Sequence, residues 1–168
     1  MAKDAKLLRR TSLLDGLSSD AVALVLASGS FVRFKVGETV MHEGEKSDTM
    51  YLFLEGDVDV TKDLTLKISG KGFGHAEKSM TRLRAGTAPV FGEMSMFSDE
   101  PRSATVGAAS DCVFFEVTRR SFEAICARDP RLGLELTRRI AVMLASRVRK
   151  GNDDVLKLST ALSIALSR

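Results

Sequence analysis

FGEMSMFSDEPRSATVGA, residues Phe91 to Ala108, is the stretch on which the reading of the chain turns. It joins a glycine and a carboxylate, Gly92 and Glu93, to a helix-length insert and then to Arg102, which heads the alternating run Ser103, Ala104, Thr105, Val106. Gly92 lets backbone approach closely and takes dihedrals that a larger residue resists. Met94 to Phe97 suffices for one helical turn whose unpaired N–H groups face an anion. Arg102 supplies the charge. Its planar fork can donate two parallel hydrogen bonds to a phosphate, and Glu93 at the other end can accept from sugar hydroxyls. Alternation sets Arg102 and Ala104 on one face and Ser103 and Thr105 on the other. Glu93 stands among apolar residues, where an unpaired charge is costly, so it requires either a ligand or a structural ion pair with Arg102 or another base.

The same residues carry a resemblance. FGE at 91–93, followed after Met94 to Glu100 by the P-R-x-A-T-V pattern from Pro101 to Val106, resembles the phosphate-binding cassette of cyclic nucleotide-binding domains. This is the family of the catabolite activator protein and the protein kinase A regulatory subunit, and the flanking chain is similar to it from about Leu13 to Arg149. The resemblance implies that Gly92 and Glu93 grip a ribose, Arg102 a cyclic phosphate, and Ser103 a phosphate oxygen or a guanine amino group. Phe91, Met94 and Ala104 complete the implied ligand-binding set. The ligand implied is cAMP or cGMP, with no cofactor and no metal. Arg138, Arg139 and Arg147 fall on the helix that in the family acts as a lid over the base, and Val58, Val60 and Leu83 are candidate walls for it.

With 168 residues, 44% of them apolar and 28% charged, the chain is long enough to bury one core. The longest apolar run, Ala21 to Ala27, is far short of a membrane span, and Met1 to Lys6 has no signal-peptide core. A cytoplasmic protein is expected. The two cysteines, Cys112 and Cys126, form no CxxC pair and read as reduced core residues. Net charge is +3, yet Thr118 to Lys150 holds nine Lys or Arg against three acids, an asymmetry that suits either an anionic partner or a solvated helix face.

Leu7 to Gly29 reads as helical, with Ser18 a candidate N-cap. From Phe31 to Ala109 the period changes to two. The strand-like runs are 31–36, 38–42, 50–54, 57–62, 64–68, 79–84 and 103–109, and a last one follows at 111–117. Thr118 caps a helix through Arg128. Asp129 and Pro130 open another, carried by Leu132, Leu136, Ile140, Met143, Leu144 and Val148 to Lys150. Gly151 and Asn152 are expected to stop it, leaving 1–150 as the domain and 151–168 as a separate amphipathic helix. The fold expected is α+β: an eight-stranded antiparallel β-roll, or double-stranded β-helix, flanked by an N-terminal helix and C-terminal helices. Two stretches depart from the family outline. Ser69 to Lys78 reads as a long Gly-rich flexible loop without a Walker ending, and Gly86 to Val90 is a longer link before FGE.

Two function classes remain. One is a stand-alone cyclic nucleotide sensor that signals to a protein effector by repositioning its C-terminal helices and pairs with its twin through them. The other is a non-binding β-roll scaffold serving as an interaction or dimerisation domain. The intact Gly92, Glu93 and Arg102 favour the first. The 18 residues after Lys150 are too few for a helix-turn-helix module, so DNA binding is not expected. A cupin-like metal enzyme would need clustered histidines, whereas His42 and His75 lie far apart, and no nucleophile-base pair points to an enzyme.

Overall fold

A computed structural model describes residues 2–9, 11–68, 72–86 and 90–167. Two short helices, α1 (Ala2–Leu8) and α2 (Ser19–Leu26), precede the strands, and Ser18 caps α2 by accepting from the Ala21 amide at 3.2 Å. The strands are β1 (Ser30–Phe34), β2 (Thr39–Met41), β3 (Thr49–Glu55), β4 (Asp57–Ile68), β5 (Gly72–Arg84), β6 (Val90–Phe91), β7 (Thr105–Ala108) and β8 (Cys112–Thr118). They form two four-stranded antiparallel sheets, ordered β1-β8-β3-β6 and β2-β7-β4-β5. Helix α3 (Glu93–Phe97) sits between β6 and β7, and α4 (Arg119–Arg128) and α5 (Pro130–Leu166) follow the roll. The expected eight-stranded antiparallel roll with flanking helices is the fold observed.

The central strands explain why the roll needs the helices. Met50 to Leu54 is a continuous apolar run, as is usual for strands covered on both faces. Tyr51 and Phe53 point between the sheets with Phe91, Val106 and Phe114, while Met50 and Leu52 point outward with Phe115 against Val22, Phe122, Leu136 and Ile140. Phe114 and Phe115, adjacent on β8 and both 0% exposed, therefore serve opposite cores. Phe114 lies 5.1 to 5.9 Å from the rings of Phe53, Phe91, Tyr51 and Phe34. Gly133 lets α5 cross α4, since a Cβ there would lie 2.7 Å from the Cys126 sulfur.

Three expectations are corrected. Residues 57–62 and 64–68 form one strand, and its partner β5 begins at Gly72, so most of the stretch read as a Gly-rich loop is paired backbone, Ile68 opposite Gly72 and Lys62 opposite Lys78. Residues 69–71 and, in the link before FGE, 87–89 lie outside the described residues. The two-residue strand β6 is too short for a period to reveal. Finally, α5 does not stop at Gly151 and Asn152 but runs unbroken through 37 residues. An interior glycine costs a helix only about 1 kcal/mol relative to alanine, which good formers on either side can absorb.

The aromatic contacts of Phe114 make it the residue whose truncation is felt most inside the roll. Phe114→Ala is expected to lower the free energy of urea unfolding by about 3–5 kcal/mol. A loss below about 1 kcal/mol would mean that the space between the sheets is not close-packed around this ring.

Candidate functional site

The site begins where β6 ends. Tyr51 opposite Phe91 and Leu52 opposite Val90 fix β6 against β3, and Gly92 then turns the chain at φ 78° into α3. Position 92 takes a left-handed dihedral of the kind expected of glycine there, and the group that approaches it closely is a side chain of the protein. A Cβ at 92 would lie 2.4 Å from Nη1 of Arg102 and 3.0 Å from the Thr49 carbonyl oxygen, so the missing side chain makes room for the guanidinium itself. On the returning chain, Arg102 is held by two backbone bonds. Its amide donates to the Glu45 carbonyl at 2.9 Å, and its own carbonyl accepts from the Gly44 amide at 2.9 Å.

Arg102 is 4% exposed, and both terminal nitrogens of its side chain are bonded. Nη1 donates to the carbonyls of Thr49 (2.7 Å) and Gly92 (2.8 Å) and to Ser95 Oγ (2.8 Å), and Nη2 donates to Ser47 Oγ (2.9 Å) and Thr49 Oγ1 (2.7 Å). Nε, also buried, has no partner among the described residues. No carboxylate stands within ion-pair distance of this guanidinium among those residues. Burial pushes its pKa below the usual arginine value, opposed by the more distant Tyr51, Glu45, Glu93 and Asp48.

Glu93, 1% exposed, is paired with a residue from the far end of the chain. Arg147 on α5 donates from Nη1 to Glu93 Oε1 at 2.5 Å and from Nη2 to the Val90 carbonyl. Of the partners considered for Glu93 in the sequence, Arg102 is thus not the one that pairs with it. The second carboxylate oxygen, Oε2, is buried and has no partner among the described residues.

Between these groups lies a cavity of about 480 Å³, a size usual for small-molecule sites. Phe91, Gly92, Glu93, Met94, Arg102, Ser103 and Ala104 all line it, so every cassette residue singled out from the sequence is brought to one hollow. Val60 and Leu83 form an apolar wall, as expected; Val58 does not, being fully buried between the sheets. Of the three lid arginines only Arg147 reaches this cavity. Arg139 instead bonds Glu135 and the carbonyls of Leu13 and Asp15, tying the N-terminal segment to α5, and Arg138 pairs with Glu135. Sequence reasoning passed over Ser47, Thr49 and Ser95 around the guanidinium, and Lys150 and Asp154 in the cavity lining. Ser95 lay inside the decisive stretch, but nothing marks a serine as an arginine acceptor until the fold brings them together.

Residues 31–129 match the family model described as the cyclic nucleotide-binding domain. A CRP-like cAMP-activated global transcriptional regulator of Mycobacterium tuberculosis is 26% identical over 91% of this chain and 62% of its own length. Among solved structures, a cyclic nucleotide-binding domain from Methylobacillus flagellatus superposes with a TM-score of 0.73 at 26% identity, covering 90% of this chain and 80% of that one. The catabolite activator protein of Thermus thermophilus gives 0.69 at 25% identity, covering 88% and 62%. The chain thus spans less than two thirds of the length of the mycobacterial regulator and of the activator protein.

Because the guanidinium occupies the space that residue 92 leaves empty, Gly92→Ala combines a left-handed backbone penalty with a steric one. It is expected to cost about 2–4 kcal/mol in chemical denaturation. A cost below about 0.5 kcal/mol would place Arg102 elsewhere.

Proposed function

The chain belongs to the cyclic nucleotide-binding domain family, and on that premise we propose that it is a sensor that binds cAMP or cGMP in the cavity bounded by Phe91 to Ala104 and reports occupancy through α5. The observation that carries this reading is the Arg147–Glu93 pair at the cavity. One carboxylate serves both partners: Oε1 holds the helix, and Oε2, unpartnered among the described residues, is left for a ligand hydroxyl. A buried acceptor without a partner costs about 1–3 kcal/mol, a deficit that a sugar hydroxyl would remove. A ligand that fixes Glu93 fixes Arg147 with it, and so biases α5 toward its docked position. The bias equals the difference in the ligand's affinity for the docked and undocked arrangements.

In the proposed complex the cyclic phosphate lies against Arg102, whose charge no contacting carboxylate neutralises. The base lies toward Val60 and Leu83, with Met94 and the exposed Ser103 hydroxyl beside it. Phe91, Gly92 and Ala104 shape the floor. Arg147 acts on the sugar side, through Glu93, rather than as a cover for the base. The family consists of regulatory binding domains, and the site as read does no catalysis.

The output proposed is α5 itself. Val148, Val155, Leu158 and Leu162 recur along it at steps of seven, three and four, each 60% exposed or more, a stripe suited to a second copy of the chain. A protein effector would read the same helix.

The scaffold reading has one observation in its favour, since Glu93 and the terminal nitrogens of Arg102 are already bonded within the protein. The two proposals part on ligand stabilisation. At a hundredfold excess over Kd, the preferred cyclic nucleotide is expected to stabilise the chain by about 2.7 kcal/mol, a rise in Tm of roughly 5–10 °C. Arg102→Ala is expected to weaken binding by about 2–5 kcal/mol. No shift with either cAMP or cGMP would leave the scaffold. In hydrogen exchange, Arg147→Ala is expected to abolish the protection that the nucleotide confers on residues 141–150; retained protection would sever Glu93 from the signal.

A further inference from the structure

We infer that Ser47, Thr49 and Ser95 are positioning residues that hold the two terminal nitrogens of Arg102, so that an anion in the cavity is met by the remaining Nε–H and not by the fork of the guanidinium. The inference rests on the cyclic nucleotide reading and adds to it how the phosphate is held.

The donor count carries the argument. A guanidinium has five N–H groups: two on each terminal nitrogen and one on Nε. The two on Nη2 meet Ser47 Oγ and Thr49 Oγ1, and the two on Nη1 are shared among Thr49 O, Gly92 O and Ser95 Oγ, at distances of 2.7 to 2.9 Å. Nothing remains on the terminal nitrogens for a phosphate. Nε is the one nitrogen of this side chain that lacks an acceptor among the described residues, and Arg102 is a wall of the cavity. A two-pronged grip through both terminal nitrogens would require at least two of these five protein bonds to be given up.

The acceptors are themselves tied down. Ser95 Oγ also bonds the Gly92 carbonyl at 3.2 Å, and Ser47 Oγ and Thr49 Oγ1 lie 3.1 Å apart. Tyr51 lies beneath, with the guanidinium carbon 5.9 Å from its ring centroid. Every contact on the terminal nitrogens is a neutral oxygen. Such acceptors satisfy the N–H groups without cancelling the charge, and an anion reaching the cavity wall finds a cation already fixed in place. A fixed cation makes ligand binding cheaper than one that must first be ordered.

The test uses the whole chain with cAMP and cGMP, following whichever binds more tightly. In nitrogen-15 NMR, with Arg102→Lys identifying the signals that belong to Arg102, saturation is expected to move the Nε–H resonance downfield and leave the terminal N–H resonances in place. Thr49→Val and Ser95→Ala are each expected to bind the nucleotide about tenfold more weakly, and Thr49→Ser to recover wild-type affinity. A role limited to stability would lower Tm in these variants without moving the affinity of the folded protein, and that result would overturn the inference. So would terminal resonances that shift in place of Nε–H, or a Thr49→Val variant that binds more tightly because its fork has been freed. Wild-type protein that binds neither nucleotide would remove the sensor reading and this assignment together; wild-type binding with the wrong resonances moving would remove this assignment alone.

Discussion

A guanidinium enclosed by protein with only neutral oxygens in contact among the described residues is the interaction on which the site is built. Arg102 could have been paired with an acid and made electrically silent. Instead hydroxyls and carbonyls take up its terminal N–H groups, so its hydrogen-bonding needs are largely met while its charge is not. Desolvation disfavours that charge, as the lowered pKa reflects, and the fold must hold it against this tendency. Gly92 exists to let it pass, α3 supplies Ser95, the approach to β3 supplies Ser47, and β3 itself supplies Thr49. These parts come from three separated segments, brought together by β3 pairing with β6 and by the backbone bonds between Arg102 and the 44–45 turn. The roll is thus the frame for one cation.

The carboxylate is treated differently. Glu93 is as deeply buried as Arg102, but it is joined to a cation on a helix that leaves the roll. Single removal of one member of such a pair leaves an uncompensated charge, so the contact is far more sensitive to displacement of α5 than an exposed ion pair would be. The helix is docked over its first turns by Leu132, Leu136 and Ile140, and from Val148 onward each described residue is exposed, with Lys150, Gly151 and Asp154 still lining the cavity. Arg147 stands at that boundary. A change at the cavity therefore meets the helix where packing ends and a projecting lever begins.

Much of this was legible from the chain, for identifiable reasons. The strands stood out as apolar runs, alternating where one face is buried more than the other, as in β7, and continuous at Met50 to Leu54 where both are, and the N-caps Ser18, Thr118 and Asp129 marked helix starts as their side-chain bonds require. FGE and P-R-x-A-T-V singled out cassette residues that do line one cavity. What escaped were relations between distant residues. Nothing local to Arg147 distinguishes it from Arg138 or Arg139, yet only the first faces Glu93. Likewise Thr49 and Ser95 are ordinary residues until the fold places both at a guanidinium. The helix break failed for another reason: Gly151 and Asn152 are weak stop signals, and nothing beyond them forces the chain to turn.

The central claim is that this hollow admits a cyclic phosphodiester between a fixed cation and a half-satisfied carboxylate. A crystal structure of the chain grown with the cyclic nucleotide it binds more tightly tests it most directly. The account predicts the phosphate against Arg102 Nε, a ribose hydroxyl on Glu93 Oε2, and Arg147 still on Oε1. Nucleotide bound elsewhere on the molecule, or in the cavity with its phosphate remote from Arg102, would contradict it.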